Sequence, residues 1–329
     1  MKRFHIARLL FFPLILLVGC QNNSFKVDVS EVALPQMNIK DYGTALFSLD
    51  RSNLNEGLSG IQEDYTLFLG TESLSNEQVI QLSQYVNDPF LIDLYNSYKI
   101  EFTNLKPIEG AMSRAFRYLL YYYPNTKVPE VFSYISGVQE PIVFRDNVLV
   151  LGLDNYLGSE SEVYARLGVP RYKMSTMNRE YIVRDIISAL SFDKIPAPNS
   201  DGTLLEHMIF EGKKLFFIKS MIPDIEDSVL MKFSERQLSW YSSKEEDLWK
   251  HYIENELLFK SDFESLKKYI NEAPFTSVLG NDSPPRTGIW LGYRIILSYA
   301  KSQKLFLNEI LQNENAQEIL NQSKYRPGR

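Results

Sequence analysis

Two carboxylates and one imidazole in the second half of the chain have types and spacing suited to catalytic or metal chemistry. His207 and Glu211 are four residues apart, so on a helix they share one face. Asp185 lies on the preceding predicted helix, beside the apolar face that Ile182 and Ile186 define. Such a group can bind a metal, act as acid and base, or satisfy buried polar groups for structural reasons. We expect the structural role, and an atypical metal-dependent hydrolase using the three side chains is the alternative.

Glu211 is predicted to be a buried, structural carboxylate. At about 100° per residue it falls within the apolar stripe of its own helix. That stripe consists of Leu204, Met208, Leu215 and Ile218. Removing a buried carboxylate leaves its partners unsatisfied, so we expect a loss of about 1–3 kcal/mol of stability.

Other functional signatures are weak. The sequence contains no nucleophile elbow, phosphate-binding loop or dinucleotide fingerprint. His251 lies among aromatic and acidic residues, which favours a packed or surface histidine over a catalytic one. The run 121–123 of three tyrosines is more typical of a core stripe than of a stacking platform. The net charge of −6 argues against a nucleic-acid partner.

The elements that must position these side chains follow from the spacing of apolar residues. Helical spacing extends to about 123, with helices predicted at 54–69, 75–86 and 108–123. Alternation over about 128–157 predicts strands, including a hairpin that turns at Asp146 and Asn147. Helices resume at about 175–323 and are predicted at 178–190, 203–218, 234–258, 261–269, 288–301 and 305–322.

Sequence signals also mark where some of these helices begin. Asn178 is predicted to cap the first helix after the sheet, and Thr203 and Ser234 each begin a capping box. With 329 residues and no long linker, the pattern predicts one α+β domain over 27–329, predominantly helical with a small mixed sheet.

The N-terminus has the order of a bacterial lipoprotein signal. Lys2, Arg3 and Arg8 precede an apolar run at 9–18 that is too short to span a bilayer. The run ends in Leu17-Val18-Gly19-Cys20, which resembles a lipobox, so we predict a signal peptide over 1–19 and an acylated Cys20 on a tether over 20–26. An ordinary signal peptide that leaves a free thiol is the alternative.

Several segments are similar to the gliding-motility lipoprotein GldB family of Bacteroidota. They are VPEVFSYISG at 128–137, LDNYLG at 153–158, REYIVRD at 179–185, EGK at 211–213, YINEAPF at 269–275 and RTGIWLGY at 286–293. The resemblance covers about 27–327. It implies a protein needed for surface gliding, in contact with other components of the gliding and type IX secretion machinery. A lipid anchor without acidic residues just after Cys20 favours the outer membrane, facing the periplasm.

A more distant resemblance is to gluzincin-type, peptidase MA-like metallopeptidases. These bind zinc through H-E-x-x-H on one helix and a glutamate on the next. Tyr181 and Asp185 stand at the histidine positions, Ile182 at the general base, and Glu211 at the third ligand. The resemblance implies a degenerate zincin-like architecture in which Tyr181, Asp185 and Glu211 are vestigial ligand positions. We therefore expect a pseudoenzyme with no catalytic residue, metal or other cofactor.

Overall fold

A mixed sheet forms between the helical halves of the chain. This computed structural model describes residues 26–328, and within them four strands lie in the order β1, β2, β4, β3. The strands are β1 (Ile39–Asp41), β2 (Glu130–Tyr134), β3 (Ile142–Arg145) and β4 (Val148–Gly152). β2 pairs in parallel with β1 and β4, while β3 and β4 are antiparallel. The predicted fold class, α+β and mostly helical with a small mixed sheet, is confirmed.

The predicted hairpin is confirmed, and its turn explains why. Asp146 and Asn147 have φ of 51° and 64°, the left-handed pair that a two-residue type I′ turn requires. β1 is not predicted from the sequence, because a strand of three residues is too short to show an alternating pattern.

The helices before β2 include two that the sequence prediction omits, at 42–47 and 89–101, and the helix expected at 54–69 is divided in two. They are α1 (Tyr42–Phe47), α2 (Leu54–Ile61), α3 (Thr66–Leu69), α4 (Asn76–Asn87), α5 (Pro89–Glu101) and α6 (Lys106–Tyr122). Pro89 marks the end of α4, but it also occupies the first turn of α5, where its missing N–H costs nothing. The carboxylate of Asp88 caps α5 by accepting from the backbone N–H groups of Phe90 and Leu91.

The longer helices after the sheet follow the prediction more closely, whereas three short ones, at 162–166, 171–174 and 227–231, are not predicted. They are α7 (Glu162–Arg166), α8 (Arg171–Met174), α9 (Ile182–Leu190), α10 (Leu204–Met221), α11 (Asp227–Met231), α12 (Glu235–Glu254), α13 (Phe263–Tyr269), α14 (Thr287–Gln303), α15 (Leu307–Gln312) and α16 (Ala316–Ser323). The capping boxes at Thr203 and Ser234 are confirmed.

Two predictions about these later helices are wrong. The single helix expected at 305–322 is broken between α15 and α16, where Asn315 caps α16 by accepting from the N–H of Glu318. Asn178 does not cap, because its side-chain oxygen instead accepts from the N–H of Ser159 at 2.9 Å.

The core is built around α10. This helix packs against α14 and also contacts α6, α9 and α13, so it is buried around most of its circumference. The main apolar cluster includes residues from Met37 to Ile319 and so joins both helical parts to the sheet. A smaller cluster lies under α1, α2 and α4 and contains Tyr42, Leu46, Leu54, Leu58, Leu69 and Val86.

The predicted signal peptide and the acylated Cys20 lie outside the described residues, as does the tether except for its last residue, Lys26. Between residues 26 and 328, no helix combines the length and apolar character needed to cross a bilayer.

Candidate functional site

Asp185, in the first turn of α9, is held by three donors. Its Oδ2 accepts from Lys232 Nζ at 2.8 Å and from the Tyr156 hydroxyl at 3.1 Å. Its Oδ1 accepts from Arg184 Nη1 at 3.0 Å. The side chain is 15% exposed. A partly buried carboxylate between two cations is the centre of an ion-pair network, and its oxygens are already engaged.

Lys232 and Arg286 belong to the same network and have unusual backbone conformations. Lys232 ends α11 with φ of 54°, and Arg286 precedes α14 with φ of 62°. The Nη2 group of Arg286 donates to the carbonyl oxygens of Met231 at 2.9 Å and Lys232 at 2.8 Å. Left-handed backbone at a non-glycine residue costs of order 1 kcal/mol. The hydrogen bonds of Arg286 offset this cost and hold the two cations in place.

The two cations are also partly withdrawn from water. Burial lowers the pKa of Lys232, although the neighbouring Asp185 carboxylate opposes this effect. Burial likewise lowers the pKa of Arg286, and the charge of Arg184 adds to the shift. The guanidinium of Arg286 lies over the ring of Phe233, 4.7 Å from its centroid.

A cavity of about 310 Å³ opens in front of Lys232 and Arg286, and we call it the basic cavity. Its other lining residues are Tyr172, Ser175, Thr176, Tyr181, Phe233, Ser234, Gln237, Glu272, Ala273, Pro274 and Pro285. The lining comes from α8, the turn before α9, the end of α11, the start of α12 and the segment before α14. This lining offers cationic and neutral donors with a single carboxylate, a composition suited to an anion and not to a metal ion.

Of the residues predicted for a site, the structure brings Tyr181 and Asp185 together around Lys232. Tyr181 lines the cavity, and Lys232 Nζ lies 5.6 Å from the centroid of its ring. Asp185 lies behind Lys232 and does not line the cavity. Ile182, which the metallopeptidase resemblance aligns with a general base, is fully buried in the core.

In the described part of the chain, His207 and Glu211 make no hydrogen bond to this network, although the charge of Glu211 acts on Arg286 and opposes the lowering of its pKa by burial. Glu211 is 22% exposed, so its predicted burial is wrong, and both of its oxygens lie 3.0 Å from Lys214 Nζ. Nε2 of His207 is buried without a hydrogen-bond partner, and burial lowers the pKa of this imidazole. Among residues 26–328, no three His, Cys, Asp or Glu side chains are placed to share a metal. Asp185, His207 and Glu211 therefore do not form the metal site of the hydrolase alternative.

The segment LDNYLG at 153–158 has a structural role, which depends on Asp154. Asp154 is fully buried and accepts from the N–H groups of Ser136 at 2.8 Å and Val138 at 2.7 Å, and from the Ser136 hydroxyl at 3.0 Å. It connects the segment after β2 to the end of β4.

His251 is also explained by packing, since its Nε2 lies 3.2 Å from the Tyr269 hydroxyl.

Sequence reasoning missed Lys232 and Arg286. Arg286 begins the segment 286–293, which is one of those that carry the family resemblance. Nothing in the sequence marks Lys232 as a site residue, because a lysine after a short helix is ordinarily exposed to solvent.

A protein-family model described as "Gliding motility protein GldB" matches residues 22–327 of the chain. No curated protein and no solved structure shows significant similarity to this chain. These comparisons give no support to the more distant resemblance to gluzincin-type metallopeptidases.

Proposed function

The chain belongs to the GldB family of gliding motility proteins, and from that premise we propose that it is a lipid-anchored, non-catalytic component that acts by binding other proteins. Its partners are components of the gliding apparatus, coupled to type IX secretion. The lipid bilayer is contacted through acylated Cys20, and the folded part faces the periplasm from the outer membrane.

The environment of Asp185 is the observation that carries the non-catalytic part of this proposal. Two cations and the Tyr156 hydroxyl occupy the carboxylate oxygens, and fully buried Ile182 stands where a zinc peptidase needs its general base. Water activation at zinc needs free ligands on one face and a base beside them. The chain supplies neither at these positions.

The test replaces the two remaining side chains of the hydrolase alternative. In a gliding host that lacks the native gene, we expect the double variant His207→Gln, Glu211→Gln to restore gliding as well as wild type. Both substitutions keep a polar side chain, and the Glu211 position is partly exposed, so the protein should accumulate normally. Metal analysis of purified wild type should find zinc far below one ion per chain.

The opposite results would favour the hydrolase. They are stoichiometric zinc in the wild type together with loss of gliding in a double variant whose thermal unfolding midpoint and cellular level match wild type. The thermal midpoint separates a lost activity from a lost fold.

A further inference from the structure

The basic cavity carries an excess of one positive charge. Its charged lining residues are Lys232, Arg286 and Glu272, and the ion pair of Arg184 with Asp185 lies directly behind Lys232. These five side chains sum to three positive and two negative charges. Glu211 also acts on Arg286, but its charge is balanced by Lys214, 3.0 Å away. Net charge in a partly buried site is costly when it is unmatched, because little water is present to screen it.

Donors remain available to a ligand after the protein's own contacts are made. Lys232 uses one hydrogen bond for Asp185, and its side chain is still 17% exposed. Arg286 uses Nη2 for two carbonyl groups, which leaves the N–H groups on its other two nitrogens. Gln237 accepts from the N–H of Ser234 through Oε1, so its NH₂ group is the end left to donate.

The size and charge of the cavity select among anions. About 310 Å³ is at the lower end of the range for ligand sites and suits one or two amino-acid residues. One carboxylate would neutralise the excess charge. A phosphate group carries about 1.5 to 2 negative charges near pH 7, and Glu272 on the cavity wall would repel the surplus.

We propose that the basic cavity binds the C-terminal carboxylate of a polypeptide partner. The carboxylate meets Lys232 and Arg286, and Tyr181 and Gln237 add neutral donors. This inference rests on the proposed role in protein binding and names the chemistry of the docking site.

The test is ligand-observed NMR with the full-length lipoprotein in detergent, because saturation transfer detects weak binding to a large protein. The probes are acetyl-trialanine with a free C-terminal carboxylate, the same peptide as its C-terminal amide, and inorganic phosphate as a competitor. We expect saturation transfer to the acid and at least fivefold less to the amide. Phosphate should compete more weakly than the acid peptide.

Glu272→Gln is the decisive variant, because Glu272 is exposed and its replacement should not disturb folding. Removing a like charge from the wall of the cavity should raise affinity for the acid peptide about three- to fivefold. Lys232→Met should abolish binding. Lys219→Met is its matched control, since Lys219 is also partly buried, is paired with Asp227 and lies outside the cavity.

Equal signals from the acid and amide peptides would overturn the proposal, as would unchanged affinity in Glu272→Gln or stronger binding of phosphate. None of these measurements depends on gliding. Failed binding together with normal gliding of the His207, Glu211 double variant would remove this inference and leave the proposed function. Loss of gliding in a folded double variant, together with intact carboxylate binding, would contradict the proposed function and leave the carboxylate site standing.

Discussion

Lys213 is the most deeply buried basic side chain on the central helix. It is 3% exposed, and its ammonium donates to the backbone carbonyls of Leu311, at 3.0 Å, and Asn313. These carbonyls belong to the C-terminal end of α15, whose last oxygens have no partner within their own helix. Burial lowers the pKa of Lys213 to about 8. The lysine therefore joins α10 to α15 at the cost of holding a charge away from water.

The lowered pKa of Lys213 predicts that the free energy of unfolding depends on pH. Between pH 8 and 10.5 the unfolded chain keeps a proton on Lys213 that the folded chain releases, so its contribution to stability increases with pH. In Lys213→Met this dependence disappears. Urea denaturation at pH 7.5 and pH 10 should show the wild type gaining about 2–3 kcal/mol relative to the variant. The variant also loses two hydrogen bonds at every pH, so a difference that stays constant across this range would contradict the assignment.

Residue-level prediction from the sequence failed where burial depends on several neighbouring elements. A helical wheel assigns Glu211 to the apolar stripe of α10, but α10 is covered on most sides and no single stripe describes it. As a result, Lys213 is buried and Glu211 is 22% exposed. Lys232 and Arg286 meet only because two left-handed backbone positions place them together, and no local pattern encodes that contact.

At the level of elements, the contact between α10 and α14 depends on glycine. A Cβ added at Gly292 would lie 1.9 Å from the carbonyl oxygen of Met208, and one added at Gly212 would lie 2.5 Å from the backbone of Gly292. The two helix backbones thus approach too closely for any side chain between them. This explains why the EGK and RTGIWLGY segments, which carry the family resemblance, pack against each other.

Gly292→Ala should therefore destabilise the protein by about 3 kcal/mol or more, because backbone atoms in two central helices would have to move. The matched control is Gly60→Ala on α2, where an added Cβ meets nothing within 4 Å. That substitution should be neutral or stabilise by up to about 1 kcal/mol, since alanine favours a helix. Thermal unfolding of both variants tests the contact. Similar midpoints would show that α10 and α14 can separate without cost.

Elements were predictable where local chemistry decides them. The capping boxes at Thr203 and Ser234 and the hairpin turn at Asp146 and Asn147 use side-chain and turn preferences that act within a few residues. β1 is different, since its three residues form a strand only because β2 offers a parallel edge. The break between α15 and α16 is a second case in which a local sequence pattern did not predict the element correctly.

At the scale of the whole molecule, the start of the described chain contacts two distant parts of the fold. Lys26 Nζ lies 3.2 Å from the Asp224 carboxylate, and Arg117 donates to the carbonyls of Ser30 and Val32. Cys20 and Lys26 are six positions apart, a separation that can span at most about 20 Å when the chain is fully extended. An anchor at Cys20 would therefore keep the surface around Asp224 close to the bilayer.

Cys20 is expected to supply that membrane attachment. Two or three acyl chains at about 0.8 kcal/mol per buried CH₂ anchor a protein stably where one chain does not. Metabolic labelling with a fatty-acid analogue should mark the wild type and the control variant Ser24→Ala but not Cys20→Ser. Equal labelling of wild type and Cys20→Ser would show that the thiol is not the acylation site, and the alternative of an ordinary signal peptide would then be the better account.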